Sequence, residues 1–271
     1  MIYRQNLHQH TNYCDGADTP REIVLHAIEN GFDSIGFSGH SYMYYAPDHS
    51  MSKAGTREYI AEIGALKKEF EGKIEIYCGL EFDMYSVVDL SPSDYLIGSV
   101  HYFDIEGEKI GFDRSENEVR RIINVYFGGD GMKYAKAYYK SLATLPSYGS
   151  FDILGHADLI TKHCENVQFF DTDSKEYRDA AIEAMEALAG KIPYFEVNTG
   201  AVSRGYRTTP YPAPFLLDEL KRLGFGAVIS SDCHDMRAID CGFSAAEALL
   251  KSHGFKEIYV LKGGRFMPTE I

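Results

Sequence analysis

The chain has 271 residues, 45% of them hydrophobic, enough to bury one sizeable core and best accommodated by a single α/β domain over 1–271. Lys plus Arg total 27 against 40 for Asp plus Glu, a formal charge of -13, which argues against the basic stripe of a nucleic-acid binder. The five cysteines form no CxxC pair, no apolar run reaches membrane-spanning length, and MIYRQNLH lacks a signal-peptide pattern. We therefore expect a cytoplasmic protein without nucleic-acid or membrane partners, its oligomeric state left open.

In chain order, the first strand is expected to end at His8 and His10 of NLHQHTNYCDG. A helix follows in TPREIVLHAIENG, with Thr19 as N-cap, Pro20 in the first turn and Gly31 as the stop. SIGFS (34–38) reads as a buried strand. Ile60, Ile63, Leu66 and Phe70 recur at helical spacing over 56–71, and KIEIYCGLEF reads as the next strand. DYLIGSVHY, FDILGH, PYFEVN, GAVISSD and EIYVL supply further strands. Helices are predicted near 115–127, 130–145, 173–189, 213–223 and 243–252. Such alternation points to a parallel sheet of seven or eight β/α units. That number favours a closed barrel, with an open doubly wound sheet as the alternative; no GxGxxG or P-loop supports a nucleotide-binding version.

Polar residues punctuate the strand ends. After His8 and His10, with Asp15 in the following loop, the later strands end at or carry His40 (FSGH), Glu81 (CGLEFD), His101 (GSVH), His156 (LGH), Glu196 and Asn198 (EVN), and Asp232 and His234 (SDCH). Six of the ten histidines lie at these positions, on the barrel face where active sites are built. HxH and DxH on extended chain aim alternate side chains to the same side. Nine candidate ligands (His8, His10, Asp15, His40, Glu81, His101, His156, Asp232, His234) exceed one ion's needs and suit two or three divalent ions, with Glu81 or Asp232 bridging. Imidazoles mixed with carboxylates favour Zn, Mn or Fe over Mg or Ca. Such a cluster supplies a hydroxide nucleophile at neutral pH and clamps the oxygens of a phosphate ester.

Other polar residues could serve such a cluster. EVNTGAVSRGYRTTPYP places Arg204 and Arg207 where a phosphate needs planar cations, with Arg237 as a third option. The loop SYMYYAPDHS offers Tyr42, Tyr44 and Tyr45 to an organic leaving group. We expect Asp15, His40, His234 and Arg204 to act in catalysis, and Arg204, Arg207, Asn198 and Tyr42 to contact substrate. His26 and His253 read as surface residues, and His49 and His163 as loop residues. Cys14 and Cys233 read as packing residues, Cys233 pointing away from the metals.

LHQHTNYCDG, FSGH, CGLEFD, GSVHY, GHADL, EVNTG and SDCH resemble, in order, the motifs of the PHP (polymerase and histidinol phosphatase) superfamily, over nearly the whole chain. The pattern is most similar to histidinol-phosphate phosphatases of the PHP type, through NxHxHTxYCDG, GHADL, EVNTGAxSRG, the PYP segment and LLDELKRLG. The resemblance implies a distorted seven-stranded β/α barrel with up to three metals held by the nine residues named above. It further implies hydrolysis of L-histidinol phosphate in histidine biosynthesis, by in-line attack of a metal-bridging hydroxide. SGH replaces the TDH or SEH of many relatives, implying loss of an acidic contact beside His40. NTGAVSRG replaces NTSGLRK, so a phosphate role for Arg204 assumes a small loop shift. Phosphotyrosine or a nucleotide as the ester, and a non-catalytic metal-binding scaffold, are the alternatives.

Overall fold

The structure, a computed structural model, describes residues 3–88 and 93–271. Its elements run β1 (Gln5–Asn6), α1 (Pro20–Glu29), β2 (Ser34–Phe37), α2 (Lys53–Glu69), β3 (Glu75–Asp83), β4 (Tyr95–Ser99), β5 (Tyr102–Ile105) and β6 (Glu108–Gly111). There follow α3 (Glu116–Tyr126), α4 (Gly131–Leu142), β7 (Ile153–Leu154), α5 (Lys175–Leu188), β8 (Tyr194–Asn198), α6 (Gly200–Ser203) and α7 (Pro214–Arg222). β9 (Gly226–Ser230), α8 (Phe243–Ser252), β10 (Glu257–Lys262) and β11 (Arg265–Glu270) complete the described chain.

Helix boundaries follow local chemistry. Thr19 caps α1 through a reciprocal box: its hydroxyl accepts from the Glu22 N–H, and the Glu22 carboxylate accepts from the Thr19 N–H at 2.9 Å. Gly31 follows in the left-handed region at φ 69°, as its predicted stop role requires. Ser52, Ser115, Asp130 and Ser174 cap α2, α3, α4 and α5 in the same side-chain-to-backbone manner.

Seven strands pair in parallel in the order β1-β2-β3-β4-β7-β8-β9. The ring then nearly closes. β9 and β1 lack a regular ladder, but the chain just beyond them meets in a parallel bridge between Gln9 and Cys233, where the His10 N–H donates to the Cys233 carbonyl at 2.9 Å. Below it the Asn6 side chain stands in for backbone: Nδ2 donates to Ser231 Oγ at 2.8 Å, and Oδ1 accepts from the Ser231 N–H at 3.2 Å. This is the distorted seven-stranded barrel, and the closure removes the open-sheet alternative. EIYVL forms a strand, but it pairs antiparallel with β11 through Gly263 and Gly264 rather than joining the ring.

The lumen is packed. Leu7, Tyr77, Tyr95, Ile97, Ile153, Val228 and Leu261 form one buried cluster. Tyr95 donates its hydroxyl to the carbonyls of Leu7 and Phe37. Its ring lies where a side chain on Gly79 would otherwise sit; a Cβ there would be 2.4 Å from the ring carbon Cζ. The β10–β11 hairpin lies against the lower end of the lumen. The Gln5 amide binds both Leu261 backbone groups, Nε2 donating to the carbonyl at 2.7 Å and Oε1 accepting from the N–H at 2.8 Å. A larger apolar core lies between the strands and the surrounding helices. With one end sealed by apolar contacts, polar groups gather at the other.

Candidate metal centre

The C-terminal strand ends bring all nine predicted ligands together. His8, His10, Glu81, His101, His156 and Asp232 are buried; Asp15, His40 and His234 sit at the mouth. Three sets offer ligand atoms within 4.8 Å of one another: His10, Asp15, His40 and His234; His8, His10 and Asp232; His40, Glu81 and His101. His156 joins through Nε2, 2.9 Å from Glu81 Oε1 and 3.2 Å from His101 Nε2.

The donor set fits divalent ions. His8 Nε2, His10 Nε2 and His40 Nδ1 are buried without a hydrogen bond. They converge on Glu81 Oε2 at 3.3, 3.5 and 3.0 Å. His8 and His10 also face Asp232 Oδ1 at 3.6 and 3.2 Å. Two ligand atoms each about 2.1 Å from a shared ion lie roughly 3.0–3.4 Å apart, so these spacings match ligands arranged around a cation. Buried polar atoms without hydrogen bonds are otherwise costly.

Electrostatics agree. Burial alone would push the His8 imidazole down, yet the Glu196, Asp232 and Glu81 carboxylates hold it well above its ordinary value. His10 rises well above its ordinary value against the same burial, through Asp15 and Asp232. His101 rises to about 9, because Glu81 and Asp83 outweigh burial. Glu81 and Asp232 resist burial in the opposite sense. The surrounding imidazoles hold Glu81 well below the usual carboxylate range, and Arg204 and His8 do so for Asp232. His234 differs: burial and the neighbouring His10 push it down to about 4. The site is an anionic well in which His8, His10, His40 and His101 favour the protonated form unless another cation takes the proton's place.

Neighbouring residues set the geometry. Glu196 accepts four contacts, from His8 Nδ1 (2.8 Å) and Ser230 Oγ on Oε2, and from the His156 N–H (2.7 Å) and Asn198 Nδ2 (2.8 Å) on Oε1. The carboxylate thereby fixes the His8 ring with Nε2 toward the cluster. Asp232 adopts φ 46°, uncommon for a non-glycine residue, and Gly200 lies directly behind it. A Cβ on Gly200 would meet Asp232 Cβ at 2.8 Å and Arg204 Nη2 at 3.1 Å. Gly39 is similar: a Cβ there would lie 3.2 Å from Cys14 Sγ and 3.4 Å from Met51 Cε, so SGH leaves little room for an acidic side chain beside His40.

The substrate contacts divide. Arg204 reaches the cluster, with Nη1 donating to the Asp232 carbonyl at 2.9 Å and lying 2.7 Å from His234 Nδ1. Arg207, expected from sequence to contact substrate, does not line this cavity. Its guanidinium turns to Thr161, Thr209 and Glu165, and lies 4.6 Å over the Tyr211 ring, beside a separate pocket. Asn198, also expected to contact substrate, is buried and its amide donates to Glu196 and Asp232. Tyr42, the third expected contact, packs beneath Lys53, and its neighbour Met43 lines the cavity. Tyr45 donates to Asp83, and Tyr44 is exposed.

The cavity of about 440 Å³ also takes in residues the sequence reading passed over, among them Asp113, Arg114, Lys162 and Tyr206. His49, read from sequence as a loop residue, lines it too. His163 bonds the Asp113 carbonyl instead, His26 contacts Asn30, and His253 contacts Asp218. Arg237 pairs with Asp235. Cys14 lies 3.6 Å from His10 Nδ1 yet belongs to none of the three sets, and Cys233 turns toward Asn6 and Gln9.

A parallel β/α barrel with histidines and carboxylates converging at its C-terminal mouth has the build of a metal-dependent hydrolase. The chain belongs to the PHP domain family, whose model matches residues 6–200. It is 31% identical over 260 residues to a Deinococcus radiodurans protein named "Probable histidinol-phosphatase", covering 89% of this chain and 90% of that one. It is 27% identical over 272 residues to the histidinol-phosphatase of Lactococcus lactis, covering 94% and 93%. The crystal structure of histidinol phosphate phosphatase from Lactococcus lactis, complexed with zinc, L-histidinol and phosphate, matches at 25% identity and a TM-score of 0.75. That match covers 98% of this chain and 100% of that one. Among the described residues, no helix is long and apolar enough to cross a membrane.

Proposed function

We propose that this chain is a metal-dependent phosphomonoesterase that hydrolyses L-histidinol phosphate to L-histidinol and phosphate, with its place in histidine biosynthesis in the cytoplasm. One observation carries the reading: unpartnered imidazole nitrogens converge on Glu81 and Asp232 in a cavity that also holds Arg204 and Lys162. The relatives named above give the substrate, and the five unpaired cysteines suit a reducing compartment.

His8, His10, Asp15, His40, Glu81, His101, His156, Asp232 and His234 would hold two or three divalent ions. Zinc is favoured by the Lactococcus lactis complex, and Mn and Fe suit the same donors. When bound, such ions supply a hydroxide nucleophile at neutral pH and Lewis-acid charge for the phosphoryl oxygens. The chain's own residues do the rest. Glu196 and Asp15 orient His8 and His10. Arg204, anchored by the Asp232 carbonyl, projects donors toward the phosphoryl group and offsets its charge. Met43, Leu159, Tyr102 and Tyr206 provide the wall for the organic part of the ester.

The test is kcat/KM for L-histidinol phosphate against a panel of phosphomonoesters, before and after chelation, with metal analysis on the same samples. Preferred turnover of L-histidinol phosphate that disappears on chelation and returns with zinc or manganese is the expected result. Asp232→Ala should abolish it while the circular dichroism spectrum is retained. Two or three bound ions without turnover of any ester would favour a scaffold.

A further inference from the structure

A second cavity, of about 350 Å³, lies beside Arg207 and shares no lining residue with the metal cavity. Its two most buried charges are Asp158, 0% exposed, and Arg207, 9% exposed. Both keep unsatisfied hydrogen-bonding capacity. Asp158 Oδ2 accepts from the Ala213 N–H at 2.9 Å, but Oδ1 has no hydrogen-bond partner among the described residues. Arg207 donates to Thr161 Oγ1 and to the carbonyl and hydroxyl of Thr209, three of the five N–H groups that a guanidinium carries. Glu165 stands 3.7 Å from Arg207 Nε and accepts from the Thr208 N–H and the Thr209 hydroxyl instead. Among the described residues, Arg207 and Asp158 form no ion pair with each other.

A buried cation and a buried anion that face one cavity without pairing are costly until a group between them answers both charges. The rest of the wall includes Pro214 and Phe215, and Arg178 lies 5.2 Å over the Phe215 ring while pairing with Asp173 at the rim. A single water on Asp158 would leave the free Arg207 donors and the apolar wall without a partner. The volume falls within the roughly 300–1,000 Å³ of small-molecule sites. A zwitterion answers every feature. Its carboxylate accepts from the Arg207 guanidinium, its ammonium donates to Asp158 Oδ1, and an apolar side chain lies against Pro214 and Phe215.

We propose that this cavity is a binding site for a free α-amino acid with an apolar or aromatic side chain, held between Arg207 and Asp158. The site adjoins the metal centre through Tyr211, whose ring lies 4.6 Å from the Arg207 guanidinium and 6.3 Å from the His156 ring. It does not depend on the phosphomonoesterase reading.

The experiment is calorimetry on zinc-loaded protein with L-phenylalanine and L-leucine, with and without saturating inorganic phosphate. 3-Phenylpropionate and phenethylamine serve as analogues that lack the ammonium and the carboxylate. At least one amino acid should bind with phosphate present, and the analogues should bind roughly 10–100-fold more weakly, the range for hydrogen bonds to charged groups. Asp158→Asn and Arg207→Gln should each weaken the amino acid by a similar factor. Phe215→Ala keeps both charges and carries the test if either buried variant loses its native circular dichroism spectrum. It should weaken L-phenylalanine roughly 2–10-fold, the range for an aromatic pair. Displacement of the amino acid by phosphate would place it in the metal cavity and overturn the proposal. Absence of binding, equal binding of the amino acid and both analogues, or unchanged affinity in the folded variants would do the same. A protein that binds L-phenylalanine in this way yet turns over no ester would keep the site and lose the phosphatase reading.

Discussion

Replacing Glu196 by glutamine tests whether a residue outside the ligand sets controls the metal centre. Each carboxylate oxygen of Glu196 faces two groups: Oε2 the His8 ring and Ser230, Oε1 the His156 N–H and Asn198. An amide nitrogen must take one of these two places, and it donates where an acceptor was needed. Placed toward His156 and Asn198, it leaves two buried donors opposed. Placed toward His8, it donates to Nδ1 and drives the ring proton to Nε2, the nitrogen aimed at the cluster. Both outcomes hurt metal binding. Loss of such an outer partner costs about 10–100-fold in metal affinity, or roughly 1.4–2.7 kcal/mol. The assay is chelator competition with zinc on wild type and Glu196→Gln, with the metal count per chain measured on the same samples. Equal affinities and equal counts would refute the argument that Glu196 orients His8.

Gly200→Ala places a Cβ 2.8 Å from Asp232 Cβ and 2.9 Å from the Ser231 carbonyl; with Asp232 displaced, kcat/KM should fall about 100-fold in a folded protein, as steady-state kinetics will show. Gly79→Ala drives a methyl into the Tyr95 ring at 2.4 Å; overpacking of about 1–3 kcal/mol should lower Tm by roughly 2–4 °C per kcal/mol in a thermal melt. In chelated protein His101 titrates at about 9 against about 6.5 when unfolded, so its stabilising contribution is complete below the lower value and is lost as pH rises through the higher one. The Tm of chelated protein should therefore fall on alkalinisation, while zinc affinity rises with pH as protons leave the imidazoles; melts and zinc titrations across this window check both.

The clustering of the candidate ligands was legible because hydrophobic strands ending in histidine or a carboxylate place unlike chemistry where a barrel opens, and that pattern repeats around the ring. Thr19 as a cap, with Pro20 and Gly31, made α1 legible in the same way. Side-chain direction in loops was not. Tyr42 and Met43 are adjacent, and only packing beneath Lys53 decides which one faces inward. Arg204 and Arg207 read alike in sequence, but the latter is drawn away by Thr161, Thr209 and Glu165. DYLIGSVHY was read as one strand, although the β5–β6 hairpin begins within it at Tyr102. Its turn is Glu106–Gly107, both at positive φ, and the non-glycine first residue weakens the usual signal. Glu196 was noticed at its strand end, but its work for His8 depends on a contact across 188 residues.

The Gln5 amide that joins Leu261 across 256 residues has a kinetic consequence. β1 is two residues long and cannot persist by its own ladder. Besides its short pairing with β2, it is held by contacts to Ser231 and to Leu261 of β10, each a loop closure of more than 200 residues. Final placement of His8 and His10 therefore depends on partners made long after them. Zinc offered early in refolding meets loose imidazoles, whereas zinc offered late meets a finished cluster. The order of addition should govern how much correctly loaded protein is recovered.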